Sequence, residues 1–529
     1  MKSQENFYDV ILIGSGIGAL ACASILVQEK KKKVLVLEQH FKAGGFTHIF
    51  RRKQKYLFDV GVHYIGNLEE GTFLRKVFDY VTRKGVRFQK MPFVFEKFVY
   101  PDLTMALKSD WGEYQKDLVA LFPQERKGLQ SYFAAIKEAK RWFQSYLIKR
   151  EKLLPTVLHL MLEMWDKLGK DWGQLTTQEV VDSLVLDLRL KAILLSQWGD
   201  YGLPPKKSSF VYHALVVDHY QNGGWYPEGG AGKIYEAIKP ILQETQSAVL
   251  LNHKVEKIIV ENGMAKGVLV TTRGENNIPE EKTFFAKQII SNVGLYGTYV
   301  TLLDDLKLER EKILDFTKRY PSMSALSLYV GFKEDPRRLG FLGENHWIYK
   351  SYDHNENYEL ANAFFEKEAD PTVVYLSFPS LKDPLAESHT AEIIIPGMYD
   401  AFSPWKDKPW KQRGDDYALL KEKIAQRLLH YLDKIYPGFG QLVDFYELST
   451  PITVEYFSKQ HRGAIYGAAC VPERLHNPLF AARTPIPNLF LTGADVLSPG
   501  VAGALLSSLF TYAAMEGVPA LLMLLAKLR

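Results

Sequence analysis

Asp9-Val-Ile-Leu-Ile-Gly14-Ser-Gly16-Ile-Gly18-Ala19 lies near the start of the 529-residue chain, and Ile486-Pro-Asn-Leu-Phe-Leu-Thr492-Gly493-Ala-Asp495 lies near its end. In the first stretch a β-branched run, Val10 to Ile13, passes into a glycine turn and a helical stretch, Ile17 to Gln28. Lys33-Val-Leu-Val-Leu-Glu38 is the next strand, so a βαβ unit closes within the ~30 residues such a crossover needs. Gly14 permits the tight turn and Gly16 lets the backbone approach a pyrophosphate. The helix that follows offers unpaired N–H groups and a positive dipole end. Gly18 continues the run, and Ala19 takes the third fingerprint position. Glu38 ends the second strand, where an acidic side chain accepts hydrogen bonds from an adenosine ribose. The pattern predicts an α/β chain with a Rossmann-type nucleotide-binding domain.

Lys42-Ala-Gly44-Gly45-Phe-Thr47 follows directly, and its double glycine lets the backbone run beside the second half of a dinucleotide. At the far end of the chain, Gly493-x-Asp495 would set a carboxylate on a ribityl or pyrophosphate group. Ser498-Pro-Gly500-Val501-Ala-Gly503 then opens a helix. Its N–H groups, Val501 among them, would face an isoalloxazine and favour negative charge on a reduced flavin. Val255, closing a strand expected over Val249 to Val255, joins the cofactor set. A fingerprint bracketing the chain with this closing segment indicates FAD rather than NAD, held non-covalently. Cys470 is read as a buried thiol, not a flavin attachment point.

A chain this long exceeds one simple core. The expected organisation is a flavin domain from 1–75, 223–300 and 455–529, interleaved with an α+β substrate domain from 76–222 and 301–454. Gly71 to Gln221 reads as mostly helical with few strand signals. Strands are expected at Val268 to Thr272, Lys287 to Asn292, Ser324 to Phe332, Val373 to Phe378 and Glu392 to Pro396, with a helix near Asp416 to Tyr436. A hydrophobic fraction of 47% and a charged fraction of 24% fit a globular protein and exclude a disordered one. A net charge of +5 with scattered lysines argues against nucleic acid as a partner. Cys22 and Cys470 cannot build a disulfide framework, and no metal site is expected, which suits a reducing, cytoplasmic setting. No apolar run reaches the ~20 residues of a spanning helix. Membrane contact, if made, is peripheral. Leu153 to Trp165, flanked by Lys149, Arg150, Lys152, Lys167 and Lys170, suits a helix lying in a membrane surface, and Pro519 to Arg529 repeats the theme.

Further motifs carry a resemblance. They are Phe58-Asp-Val-Gly-Val-His63-Tyr64-Ile-Gly66, His219-Tyr-Gln-Asn-Gly-Gly-Trp-Tyr226-Pro-Glu-Gly229-Gly230, Phe378-Pro-Ser-Leu-Lys-Asp-Pro384, Arg413-Gly-Asp-Asp-Tyr417 and Arg462-Gly-Ala-Ile-Tyr466-Gly467. With them the chain resembles the retinol saturase family and, more widely, the carotenoid isomerases and phytoene desaturases. Phe-Pro-Ser-x-Lys-Asp-Pro is more specific to the saturase branch than any glycine motif. The closing segment departs from that branch, with Ala494 in place of Gln and Val501-Ala-Gly503 in place of Leu-Val-Gly.

The resemblance implies a glutathione-reductase/amine-oxidase-like fold, FAD, a hydrophobic polyene or lipid substrate, and peripheral membrane contact. It also implies saturation of a C=C bond by a hydride from reduced flavin plus a proton. The electron donor is unknown, since no second nicotinamide fingerprint is apparent. His63 and Tyr64 are the candidates to donate that proton or orient the substrate. Tyr220 and Tyr226 are expected to line the substrate tunnel. The alternatives are desaturation or isomerisation of a carotenoid on the same fold, an amine oxidase, and a flavin-binding lipid carrier without turnover.

Overall fold

The computed structural model describes residues 7–153, 170–273, 278–304, 306–367 and 369–528. β1 (Phe7–Ile13) and β2 (Val34–Leu37) run parallel and are joined by α1 (Ile17–Lys30). Every residue of α1 from Ile17 to Val27 is buried. Ala19, Ala21, Cys22 and Ala23 supply the small side chains that such enclosure demands. The sheet around them has seven strands. Its order is His253–Glu261, Met264–Arg273, Pro279–Ser291, β1, β2 and Ala248–Leu250, with Leu489–Leu491 pairing beside Pro279–Ser291.

Pro279–Ser291 has an unusual load. Its first half pairs antiparallel with Met264–Arg273, and its last residues pair parallel with β1 on one side and Leu489–Leu491 on the other. Ser291 is opposite Ile13 and also opposite Leu491. Segments from near the two ends of the sequence therefore flank Pro279–Ser291 at the carboxyl edge of the parallel strands, where open α/β sheets bind ligands.

One expected strand divides. Instead of a continuous Val249–Val255, Ala248–Leu250 pairs with β2 and His253 begins a new antiparallel strand. Asn252 sits between them at φ +56°, a left-handed turn position that asparagine tolerates.

The second sheet, also seven-stranded, has the order Val443–Ser449, Ser324–Phe332, His389–Gly397, Val373–Ser377, Asn345–Tyr349, Val94–Val99 and Thr104–Lys108. Strand alternation sorts its side chains. Ile348, Val374, Leu376, Ile393 and Ile395 pack with the core under the helix Asp415–Ile435. Trp347, Tyr349, Val373, Tyr375 and Ile394 face the opposite layer. That layer is built from the helices Trp111–Leu121, Arg126–Arg150, Thr177–Leu184, Leu188–Leu195 and Phe210–His219.

The region from Gly71 to Gln221 is thus less purely helical than its composition suggests, since it contributes Val94–Val99 and Thr104–Lys108 to this sheet and Phe88–Lys90 to a pairing with Trp225–Pro227. The parallel partner of Val94–Val99 is Asn345–Tyr349, remote in sequence. Glu96, fully buried, also hides the apolar alternation a strand would show. Of the stretch Leu153 to Trp165, only Leu153 lies among the described residues.

Arg474 ties the flavin-side segments to the helical layer. Its guanidinium is 1% exposed and donates to the carbonyls of Ala468 (2.7 Å), Ala494 (2.5 Å) and Asp495 (3.0 Å), while lying against the rings of Tyr212 and Phe480. Arg474→Met keeps the bulk and removes every donor. Each stranded buried carbonyl costs about 1–3 kcal/mol, so a loss of about 3 kcal/mol or more is expected in denaturant unfolding. An unchanged midpoint would show that these carbonyls find other partners.

Candidate active site

A cavity of about 1570 Å³ opens at the carboxyl edge of the first sheet and runs against the second. Part of its wall comprises Gly14, Gly16, Gly18, Glu38, Gly44, Gly45 and Val255. Gly493, Asp495 and Val501 line it from the other end of the chain, and Asn292 lies between the two groups. Ala19 is the cofactor-set residue that does not reach the wall, being wholly buried under the loop.

The shape of this wall suits a dinucleotide. A Cβ on Gly16 would come within 2.6 Å of Asn292 Nδ2, and one on Gly493 within 2.5 Å of Asn292 Oδ1. Bare backbone at both positions leaves room for phosphate. α1 starts at Gly16 with no side-chain cap and no acidic residue in its first turn, so its first N–H groups and dipole remain available to an anion. The helix Gly500–Glu516 begins in the same uncapped way.

The two acidic residues of the set are already engaged. Glu38 accepts from the amide (2.9 Å) and hydroxyl (2.6 Å) of Ser15 and from the amide of His40 (2.8 Å). Ser15 in turn accepts from the Gly44 amide (3.0 Å), so Glu38 fixes the glycine loop as well as facing the cavity. Asp495 accepts from the amides of Leu295 (2.8 Å) and Ala468 (2.7 Å), pinning three loops at the rim.

One section of the remaining wall is aromatic and apolar, with Trp198, Trp347, Tyr375, Tyr466, Met323 and Ile394 beside Asp200 and His63, while another is charged, with Arg51, Arg52, Lys411, Lys421, Glu422 and Lys459. Of the residues expected to act on or line the substrate, His63 reaches the cavity and Tyr64, Tyr220 and Tyr226 stand behind it. Tyr64 donates to Asp200 (2.8 Å) and stacks on Tyr220 at 4.2 Å. Tyr226 donates to Asp59. Asymmetric demand explains the placement: a phenol buried in this apolar layer needs an acceptor, and the buried carboxylates provide one.

Behind His63 lies a buried set that sequence reasoning missed in part. Lys382, from the Phe-Pro-Ser-Leu-Lys-Asp-Pro stretch, donates to the His63 carbonyl (2.9 Å), Asn345 Oδ1 (2.5 Å) and Ser377 Oγ (2.6 Å). Glu392 accepts from the Asp59 amide (3.0 Å), and its other oxygen lies 2.9 Å from His63 Nδ1. Burial pushes Glu392 up to about 8 and Asp59, with help from Glu392, up to about 7. Burial pulls Lys382 down to about 7 and His63, with help from Lys382, down to about 3. The motif's branch-specific lysine was the available signal; Glu392, inside a plain apolar strand, gave none.

The chain belongs to the flavin containing amine oxidoreductase family, which matches residues 20–511. Within it, the chain is 32% identical over 524 residues to an all-trans-retinol 13,14-reductase of Danio rerio, covering 95% of this chain and 84% of that one. It is 25% identical to a chloroplastic prolycopene isomerase of Arabidopsis thaliana, covering 88% and 74% respectively. In fold it is similar to the cyclohexylamine oxidase of Brevibacterium oxydans, with a TM-score of 0.61 at 15% identity, covering 98% of this chain and 99% of that one. The protein is therefore an FAD-dependent oxidoreductase of the amine-oxidase fold.

Gly16→Val places a branched side chain onto Asn292 and into the phosphate path. The purified variant is expected to be colourless with unchanged far-ultraviolet circular dichroism. Retention of a yellow flavin would overturn the placement of the pyrophosphate.

Proposed function

We propose that this enzyme saturates a C=C bond of a hydrophobic polyene, all-trans-retinol or a related isoprenoid. The observation carrying this reading is one section of the cavity: an aromatic and apolar wall of Trp198, Met323, Trp347, Tyr375, Ile394 and Tyr466, continuous with the glycine-rich wall. Supporting it is the identity to proteins named all-trans-retinol 13,14-reductase over nearly the whole chain. Bound FAD, when reduced, supplies a hydride.

The chain's residues do the rest. The glycine loop and the uncapped N-terminus of α1 hold the pyrophosphate, and Glu38 and Asp495 hold the loops that shape the pocket. Trp198, Trp347, Tyr375 and Tyr466 exclude water and orient an extended apolar chain. His63 lines this section of the cavity and, in this reading, supplies the proton for the second carbon.

An apolar substrate arrives from a lipid phase, so peripheral contact with a membrane is part of the same proposal. Among the described residues, no helix is long and apolar enough to cross one. On the terminal helix Val518–Lys527, Leu522 and Met523 are exposed and available for such contact.

The test is an anaerobic single turnover of chemically reduced enzyme with all-trans-retinol in detergent. Return of oxidised-flavin absorbance together with loss of polyene absorbance is the expected outcome. A flavin that stays reduced would overturn the reading, and oxidised enzyme tried against carotenoids would then distinguish desaturation. His63→Phe is expected to retain FAD and slow the step by about 100-fold, within the range of general acid catalysis. An unchanged rate would return His63 to a packing role.

A further inference from the structure

We propose that Glu392, balanced by Lys382 and Asp59, holds a proton that it passes to His63 Nδ1 as His63 gives its Nε2 proton to substrate. The proposal rests on the functional reading above and adds the relay that keeps His63 neutral as it gives up its proton.

The geometry begins with unpaired atoms. His63 Nδ1, Glu392 Oε2, the Tyr375 hydroxyl and Asn345 Nδ2 are all buried without a hydrogen-bond partner among the described residues. Such orphans are rare in proteins and call for an explanation. Here they belong to neighbouring residues. The His63 and Tyr375 rings lie 5.4 Å apart, and Asn345 shares Lys382 with the His63 carbonyl. His63 Nδ1 and Glu392 Oε2 are 2.9 Å apart but off the line of a ring N–H donor. Catalytic hydrogen bonds in ligand-free sites commonly have this loose alignment.

Charge counting then places the proton. Three acceptors around Lys382 Nζ match the three N–H bonds of an ammonium. One buried cation balances one buried carboxylate, so of Asp59 and Glu392 one is protonated. Asp59 accepts from the Ala231 amide (2.9 Å) and from the Tyr226 hydroxyl, and both bonds favour its anion. Among the described residues Glu392 accepts one bond, from the Asp59 amide. The proton therefore belongs on Glu392, and a proton on Oε2 pairs it with Nδ1, relieving two orphans at once. The direction of the Glu392 shift, upward through burial, agrees. The other titratable groups acting on the set are Glu96 and Glu344, which favour the Lys382 cation, and Tyr329, packed near Glu392.

The transfer balances. His63 rests neutral, with its proton on Nε2. The Nε2–H bond breaks as a C–H bond forms at the carbon that does not receive the hydride. The Glu392 O–H bond breaks as Nδ1–H forms, leaving a carboxylate beside the Lys382 cation. Both electrons of the reduction enter with the hydride from reduced flavin, and none moves along this chain. Reprotonation of Nε2 from the cavity and return of the Nδ1 proton to Glu392 restore the resting state. His63 is the catalytic residue; Glu392 and Lys382 are positioning residues.

Infrared difference spectra of the oxidised holoenzyme, taken roughly a unit and a half either side of pH 8, read Glu392 without any substrate. A protonated-carboxyl band is expected to disappear as pH rises through about 8 and to be missing in Glu392→Gln. If Gln is not tolerated, Glu392→Asp keeps the acid and should shift the same band.

In single turnover with all-trans-retinol, the wild-type rate should fall as pH rises through about 8, because the protonated carboxyl is the active form. Glu392→Gln should be about 100-fold slower with that limb abolished. Lys382→Met should move the limb upward, since the cation that favours the carboxylate is gone. A Glu392 ionised at neutral pH, or a Gln variant with unchanged rate and pH limb, overturns the proposal. If no variant or wild type reoxidises with any polyene, the functional reading has failed, and the infrared titration still decides where the proton resides.

Discussion

Everything at this site hangs on the carboxyl end of Pro279–Ser291. Ser291 holds Ile13 in register on one side and Leu491 on the other, and the next residue, Asn292, projects between two glycines from opposite ends of the chain. No side chain larger than hydrogen fits at Gly16 or Gly493 while Asn292 is there. That steric rule keeps the backbone bare along the path of the pyrophosphate. It also forces chain folding to be nearly complete before the cofactor wall exists, because the three segments are separated by most of the sequence. The closing strand contributes little area itself, yet Asp495 behind it accepts amides from two further loops and so sets the rim.

The cofactor half of the fold is legible because its physics is local. A buried parallel strand, a turn that must be glycine, and a helix that must begin uncapped all lie within one βαβ unit, and each leaves its mark at a fixed offset. The strands Ser324–Phe332 and Val373–Ser377 are legible for a similar reason, as short, mainly apolar runs. The strand Val94–Val99 is not, since its parallel partner is far away in sequence and it carries Glu96 inward. The tyrosines show the same limit. Tyr64, Tyr220 and Tyr226 stand close to residues of the site, but sequence cannot say whether a phenol faces a cavity or an acceptor behind it. Here carboxyls draw two of them away, with Asp200 holding Tyr64 and Asp59 holding Tyr226, and Tyr220 stacks on Tyr64.

The substrate half reads as a compromise between an apolar chamber and the charges beneath it. An aromatic wall orients a long hydrocarbon through dispersion and shape alone, which gives position without chemistry. Proton transfer to carbon needs an ionisable group, and ionisable groups are costly in such surroundings. The structure meets both demands by bringing His63 to the aromatic section of the cavity and keeping Asp59, Lys382 and Glu392 one layer back. Lys382 illustrates the arrangement: its ammonium never reaches the cavity, yet it holds the backbone of His63 and acts through space on Glu392.

The branch-specific Phe-Pro-Ser-Leu-Lys-Asp-Pro stretch then acquires a physical reason. Phe378 anchors the helix Pro379–Lys382 in the core under the second sheet, and Pro379 starts that helix. Lys382 points to His63, and the adjacent Asp383 accepts the Gly229 amide (3.0 Å), fixing the glycine cluster that presents Ala231 to Asp59. One short turn thus reaches both sides of the buried set, the cation at its centre and the loop that keeps Asp59 ionised. Because the set carries one cation and two carboxyls, it is neutral only while it holds a single proton between the carboxyls. A neutral resting state is the one that burial tolerates best, so the environment that makes charge expensive is also what keeps a proton in reserve beside an otherwise inert hydrocarbon pocket.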